Sequence, residues 1–147
     1  MSLDEAQKQL WTELNEDAGL EALIGAGRVK VGWPNSKPDF PFISLQWQSS
    51  SPIPGATYVG RRKVGLQINI YSFDPYFNEQ VEGYLIQNYS IPLRKPEGIE
   101  STNYRITEML QTDDSHPLKF KVDSKDNDIQ HLASQWRLTV KTKSEGV

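Results

Sequence analysis

The segment from Arg62 to Phe73 constrains the fold more than any other part of this sequence. Its apolar side chains fall at every second position: Val64, Leu66, Ile68 and Ile70. Successive side chains of a β-strand point to opposite faces of a sheet, so this alternation is typical of a strand with one buried face. The chain must therefore form a sheet whose apolar face is covered by another layer.

The C-terminal part of the chain repeats this pattern in a segment from Ile129 to Thr142. The residues that share its predicted inner face are Leu132, Ser134, Trp136, Leu138 and Val140. Less regular segments predict further strands at 28–31, 40–48, 103–112 and 118–122. In the segment 103–112, the residues predicted to share one face are Tyr104, Ile106, Glu108 and Leu110. Turn-forming residues predict loops at 32–39, 49–60, 91–101 and 113–117.

Two other segments have helical periodicity. The first is predicted at 3–24, with a break near Asp17 to Gly19 and an end at the glycines of 25–27. The second is predicted at 75–90, because Asp74 is a suitable N-cap and proline is favoured in the first turn. Its apolar face is assigned Phe77, Val81, Tyr84, Leu85 and Asn88.

The order of these elements indicates the α+β class. Groups of strands alternate with helices, which favours a mostly antiparallel mixed sheet with two main helices, N-terminal and central, packed on one face. The chain has 147 residues, of which 37% are hydrophobic, and this is enough for one core. We therefore expect a single domain over residues 1–147.

Charge and composition exclude several classes of function. The net charge of −3 disfavours a dedicated nucleic-acid-binding domain, although a local contact with DNA stays open. Cysteine is absent, which excludes disulfides, thiolate metal sites and cysteine nucleophiles. No apolar stretch approaches the roughly 20 residues of a membrane span. The acidic start of the chain does not resemble a signal peptide, so an intracellular setting without membrane contact is expected.

Candidate metal ligands and acid–base groups lie mainly in acidic turns. Asp113, Asp114 and His116 are suitable in type for a divalent metal, but their spacing matches no established ligand motif. The acidic residues Asp123, Asp126 and Asp128 lack the glycine and the terminal glutamate of a calcium loop. Solvated turns are the simpler interpretation.

His131 and the tryptophans have structural interpretations as well. His131 is expected on the polar face of the last strand. Trp11 is expected in the core, while Trp33, Trp47 and Trp136 are expected to serve as core or interface anchors. The sequence therefore predicts no catalytic residue, no cofactor and no metal site, and hence no enzyme.

One compact basic run remains as a candidate contact surface. Arg61, Arg62 and Lys63 lie where a glycine-rich loop enters the strongest strand. An exposed loop end whose charge discourages aggregation is one interpretation. A local patch for a phosphate backbone or for an acidic partner surface is the other.

The whole pattern resembles the tail-completion or tail-terminator proteins of long-tailed bacteriophages and prophages, across residues 3 to 142. The segments that carry the resemblance are Leu23–Val29, Phe40–Leu45, the strand end Gln67–Ser72 that runs directly into a helix, and Ala133–Val140. The resemblance implies a homo-oligomeric ring, commonly a hexamer, that joins tail-tube and head–tail connector proteins. It implies assembly in the cytoplasm and a final place in the virion tail. By the same analogy, Arg61, Arg62 and Lys63 would face a lumen and contact DNA without sequence specificity.

Two other functions remain open from the residues themselves. The chain fits a small non-catalytic α+β module that binds a protein or a ligand, which would show a deep apolar pocket with few polar groups. An enzyme built on Asp113, Asp114 and His116 would instead show a pocket with perturbed titratable groups.

Overall fold

The computed structural model describes residues 4–32, 39–52, 60–112, 116–121 and 128–143, with only the backbone described at 49–52, 116–121 and 128. The three helices are α1 (Asp4–Asn15), α2 (Ala18–Ile24) and α3 (Pro75–Tyr89). The strands are β1 (Val29–Val31), β2 (Phe42–Pro52), β3 (Arg61–Ser72), β4 (Ile99–Glu100), β5 (Tyr104–Gln111), β6 (His116–Lys121) and β7 (Asp128–Thr142).

The strands form one mixed sheet in the order β1-β2-β3-β7-β5-β4. The pair β1–β2 is parallel, and the other pairs are antiparallel. The long strand β7 pairs with β3 along one edge, while β5 and β6 follow one another along its other edge. The two segments with the clearest alternation in the sequence are thus the central pair of the sheet, and the predicted α+β class is confirmed.

The helices cover one face of this sheet and bury its apolar side chains. From the sheet, the core contains Val64, Leu66, Ile68, Ile70, Leu132, Trp136, Leu138 and Val140; from the helices, Ala6, Leu10, Leu14, Leu20, Ile24, Val81, Leu85 and Tyr89. Each fully buried large aliphatic side chain contributes about 1.5–3 kcal/mol relative to an exposed one. The alternation that defines the strands therefore also supplies the main force that holds the helices to them.

Asp17 determines where the first helical segment breaks. It is the N-cap of α2 and accepts a hydrogen bond from the Leu20 backbone N–H through Oδ1 at 2.9 Å. The same carboxylate accepts the hydroxyl of Tyr84 at 2.5 Å and that of Tyr89 at 2.6 Å. The Asp17 side chain thus separates α1 from α2 and connects α2 to α3 through hydrogen bonds.

The predicted N-terminus of α3 is confirmed, but its buried face differs in part. Asp74 caps the helix by accepting from the Tyr76 N–H, and Pro75 is its first residue. Val81 and Leu85 are buried as expected, whereas Asn88 is exposed and Asn78 is buried in its place. Asn78 can be buried because its side chain accepts from Ser72 Oγ at 2.6 Å and donates to the Gln130 carbonyl at 2.9 Å.

Three other predicted boundaries or faces are wrong. Strand β2 continues to Pro52, into the segment predicted as a loop, because its backbone pairs with β3 as far as Arg62. His116 begins β6 instead of lying in a turn, since it pairs with Ala133. In β5 a register shift after Ile106 turns Met109 into the core, so Leu110 does not share the inner face with Ile106.

Gly98 is expected to tolerate no side chain. Its φ is +69°, and an added Cβ would meet the carbonyl oxygen of Ile106 in β5. We expect Gly98→Ala to lower the free energy of unfolding by about 2 kcal/mol, from the left-handed backbone and the clash together. Urea unfolding followed by circular dichroism measures this loss. The matched control is Gly83→Ala in α3, where a Cβ meets open space and should stabilise the helix by up to about 1 kcal/mol.

Candidate functional site

The face of the sheet opposite the helices is the main candidate surface, and we call it the open face. It is formed by the odd-numbered positions of β3 and β7, since the even-numbered positions point into the core. Three kinds of side chain follow one another along it: cations where β3 begins, amides in the middle, and aromatic rings where β3 ends.

The amides in the middle form a hydrogen-bonded ladder across the two central strands. Gln135 Nε2 donates to Gln67 Oε1 at 2.7 Å, and Gln67 Nε2 donates to Asn69 Oδ1 at 2.6 Å. His131 Nε2 lies 2.8 Å from the same Asn69 oxygen and donates to it. Such pairs stabilise neighbouring strands, so the ladder has a structural role whatever else the face contacts.

His131 lies in an aromatic stack at the end of β3. Its ring stacks on Tyr71 with centroids 4.3 Å apart, and Tyr71 stacks on Phe42 at 4.7 Å. Burial lowers the pKa of His131 and raises the pKa of Tyr71. Both shifts favour the uncharged forms, which suits packing better than binding of a charged ligand. The histidine lies on the polar face of β7, as the sequence predicts.

A depression of about 280 Å³ lies beside this stack, and its lining is polar but uncharged. The residues that line it are Gly32, Ser44, Gln46, Asn69 and Tyr71. Ser44 Oγ donates to the Gly32 carbonyl at 2.7 Å, so its hydroxyl is already bonded within the protein. The depression holds hydrogen-bonding groups for a small neutral ligand, and among the described residues no carboxylate, imidazole or cation lines it.

The predicted basic run is divided between the two faces of the sheet. Arg61 and Lys63 are exposed and lie on the open face, whereas Arg62 pairs with Val140 and lies on the helical side. Two cations of β7 join the pair on the open face, because Arg61 pairs with Lys141, and Arg137 is exposed opposite Gly65. The sequence alone did not indicate Arg137 and Lys141, since they lie far along the chain.

An apolar groove of about 330 Å³ lies at the junction of β3 and α3. It is lined by Leu23, Phe40, Pro41, Ser72, Phe73, Asp74 and Phe77. Phe73 is 54% exposed at its rim, and its ring lies 4.9 Å from that of Phe40. This open groove was not predicted, because Phe73 was assigned to a strand end with no indication that its ring would lie at the surface.

Several candidate ligands fall outside the described residues. They are Asp113, Asp114, Asp123, Asp126 and the side chains of His116 and Asp128, and Trp33, which was predicted as an anchor, lies outside them as well. Within the described ranges, no group of three or more His, Asp or Glu residues is placed so that it could hold a metal ion. No helix among these residues is long and apolar enough to cross a membrane.

The tryptophans in the described ranges serve as anchors of the core. Trp136 is 2% exposed and lies in the main cluster, while Trp11 and Trp47 are half-buried and pack against it. Trp11 also donates its indole N–H to the Val29 carbonyl at 2.8 Å, which fastens α1 to the edge strand β1. Trp136 is therefore enclosed in the core, while Trp11 and Trp47 also line a surface depression of about 220 Å³.

Comparison with known proteins places the fold. No protein-family model matches the chain, and no curated protein is similar to it in sequence. A chain of the solved structure "Virion of native gene transfer agent (GTA) particle" has a TM-score of 0.68 at 16% identity, covering 95% of this chain and 99% of that chain. A second solved chain, named only by a sequence identifier, has a TM-score of 0.55 at 14% identity over 100% and 99% of the two chains. The protein therefore shares its fold, over almost its full length, with a chain of a gene transfer agent virion.

Proposed function

We propose that this protein is a structural component of a phage or phage-like particle and acts as a ring-forming tail-completion subunit. The observation that carries the proposal is the similarity of the whole fold to a chain of a gene transfer agent virion, at a TM-score of 0.68. The order of sequence segments that resembles tail-completion proteins gives independent support. In this role the protein is not an enzyme, and its neighbours are further copies of itself, tail-tube proteins and head–tail connector proteins.

The surface chemistry suits a protein that functions by binding other subunits. The titratable side chains of the open face are surface cations and the stacked pair of Tyr71 and His131, in which burial raises the pKa of the tyrosine and lowers the pKa of the histidine. An interface requires exposed patches that a partner can cover, and the groove beside Phe73 and the basic end of the open face are two such patches. The protein would assemble in the cytoplasm and then become part of the virion tail.

The oligomeric state tests this proposal. Light scattering coupled to size exclusion over a wide concentration range, with negative-stain electron microscopy, should show discrete closed rings, with a hexamer as the expected form. The same measurement is repeated with purified tail tubes, because a terminator subunit can wait for its tail before it assembles. A chain that remains monomeric at high concentration and does not bind tail tubes would contradict the proposal.

A small binding module is the second candidate, favoured by the apolar groove between Phe40 and Phe77. In that case the protein would stay monomeric at every concentration and would bind one partner through the groove. Phe73→Asp would then abolish partner binding, whereas it would leave an oligomer formed through other surfaces intact.

The exposed cations of the basic run have two candidate contacts within the proposed ring. Arg61 and Lys63 could line a lumen and contact DNA, or they could meet an acidic surface of a neighbouring subunit. Arg62 takes part in neither contact, because it lies on the helical side of the sheet and not on the open face.

A further inference from the structure

The two sides of the sheet carry opposite charge. Between Asp4 and Ile24, the helices α1 and α2 with their connection contain six carboxylates and a single cation, Lys8. Helix α3 adds two more carboxylates and no cation. Glu16, Glu21 and Glu79 are exposed, so the outer side of the helical layer is an acidic surface.

The open face is basic where β3 begins. The exposed or half-exposed cations there are Arg61, Lys63, Arg137 and Lys141. In the part of the chain that the structure describes, none of these four side chains forms a hydrogen bond or ion pair. Glu108 on the neighbouring β5 is an acidic side chain on the same side of the sheet, and it accepts from Thr139 Oγ1 at 3.3 Å.

The register of the sheet brings like charges together at this end. Arg61 pairs with Lys141, and Lys141 pairs with Arg105 on the next strand. Arg105 is ion-paired with Glu100 at 3.4 Å, but the other two are not neutralised within the described chain. Like charges directly opposite one another destabilise a strand pair. An external acidic group against this row would remove that cost.

We propose that the basic end of the open face of one subunit docks against the acidic helical layer of a second copy. The two patches differ and lie on opposite sides of the same sheet, so the contact joins copies head to tail. Such a heterologous contact closes a ring when the rotation between copies allows it. The inference rests on the proposed ring and names the surfaces that meet in it.

A second copy is favoured over nucleic acid by the charges of the chain itself. The net charge is −3, and the carboxylates of the helical layer repel a polyanion. Non-specific binding to DNA depends on neutralising many phosphates, whereas the four cations beside Glu108, which have no partner within the described ranges, form a small patch. The same patch is adequate for steering and orienting one acidic protein surface.

A charge-swap experiment tests the contact directly. The variant Arg61→Glu/Lys63→Glu reverses the charge of two of the four cations at the basic end, and Glu16→Lys/Glu21→Lys reverses the charge of two carboxylates of the helical layer. Each alone should weaken self-association by about tenfold or more. A mixture of the two should recover assembly as alternating copies, and one chain with all four substitutions should recover it alone. Arg94→Glu, in the exposed loop after α3, changes charge elsewhere and should assemble like wild type.

The outcomes separate this inference from the proposed ring. Circular dichroism melting confirms that each variant is folded, and native mass spectrometry reads the composition of the mixture. If both swap variants still form the rings that the wild type forms, the proposed charge contact is wrong and the proposed ring is not affected. A wild type that never assembles would overturn both. If Arg61→Glu/Lys63→Glu leaves assembly unchanged but abolishes retention of short duplex DNA at low salt, the patch binds nucleic acid and the inference is wrong.

Discussion

Replacing Trp136 by alanine is expected to lower the free energy of unfolding by about 4 kcal/mol, the largest effect of any single change considered for this protein. Among the described residues Trp136 is the largest of the fully buried side chains, and it lies on β7, which pairs with β3 on one side and with β5 on the other. Its removal leaves a cavity that the surrounding β-strands cannot fill, because their backbones are held by pairing on both sides. Urea unfolding followed by far-ultraviolet circular dichroism measures the loss.

The matched control is Trp136→Phe. Phenylalanine keeps most of the apolar volume but cannot replace the indole N–H that donates to Ser134 Oγ at 2.9 Å. Ser134 keeps a second partner, since Gln111 Nε2 donates to the same oxygen at 3.1 Å. We therefore expect a loss of about 1–2 kcal/mol for the phenylalanine variant. Equal losses for the two variants would show that the hydrogen bond, not the packing, determines the effect.

Asp17→Ala is expected to lower the free energy of unfolding by about 3 kcal/mol. The loss has two sources, the missing helix cap and the two tyrosine hydroxyls that lose their carboxylate acceptor. The substitution removes the cap of α2 and leaves the Tyr84 and Tyr89 hydroxyls without their carboxylate partner. Tyr89 is 3% exposed, so water cannot readily replace the lost acceptor, and the acceptor that remains for its hydroxyl is the Glu13 carbonyl at 3.4 Å. Asp17→Asn is the control, because an amide oxygen keeps the cap and one phenol bond, and about half of the loss should remain. If Asp17→Ala lowers the free energy of unfolding by less than Tyr89→Phe does, this account is wrong.

The hydrogen bonds to Asp17 also predict in which direction the stability of the protein changes with pH. Burial raises the pKa of Asp17, but the hydrogen bonds from Tyr84, Tyr89 and the backbone N–H groups of Leu20 and Gly19 together outweigh burial and hold the pKa below its usual value of 3.8. A carboxylate with a lowered folded-state pKa stabilises the protein above its unfolded-state pKa, and that contribution is lost as pH falls through the folded-state value. The stability difference between wild type and Asp17→Asn should therefore narrow below pH ~4.

At alkaline pH the tyrosines of the cluster act in the opposite direction. Burial, together with the contact to Asp17, raises the pKa of Tyr84 to about 12. A group with a raised folded-state pKa loses its stabilising contribution as pH rises from the unfolded-state value of ~10 towards the folded-state value. The unfolding free energy of wild type should fall over this range more steeply than that of Tyr84→Phe.

The strands were predictable because their pattern is local. Alternation in β3 and β7 defines both the strand and its inner face, and the structure buries Val64, Leu66, Ile68 and Ile70 as expected. The same logic fails in β5, where a register shift after Ile106 brings Met109 inward. An irregularity of this kind depends on the neighbouring strand, so no periodicity within the segment shows it.

The candidate site was predictable only in part, since its residues come from distant segments. Arg61 and Lys63 were visible as a compact run, but Arg62 in the same run points to the other side of the sheet. Arg137 and Lys141 join the patch only through the pairing of β3 with β7. In the same way Asn78 is buried, against expectation, because Ser72 and the Gln130 carbonyl supply its hydrogen bonds.

The sequence by itself determined the fold class, the central strands and the ends of the helices, because alternation, helical spacing and capping residues act over a few neighbouring positions. Tertiary structure alone decided which polar groups are buried and which charges share a surface. Asp17 shows the division: the helix break near it is predicted from the local sequence, but its two tyrosine partners lie far along the chain. Those contacts exist because the sheet holds α2 and α3 side by side, and the same sheet sets the basic and acidic sides of the molecule apart.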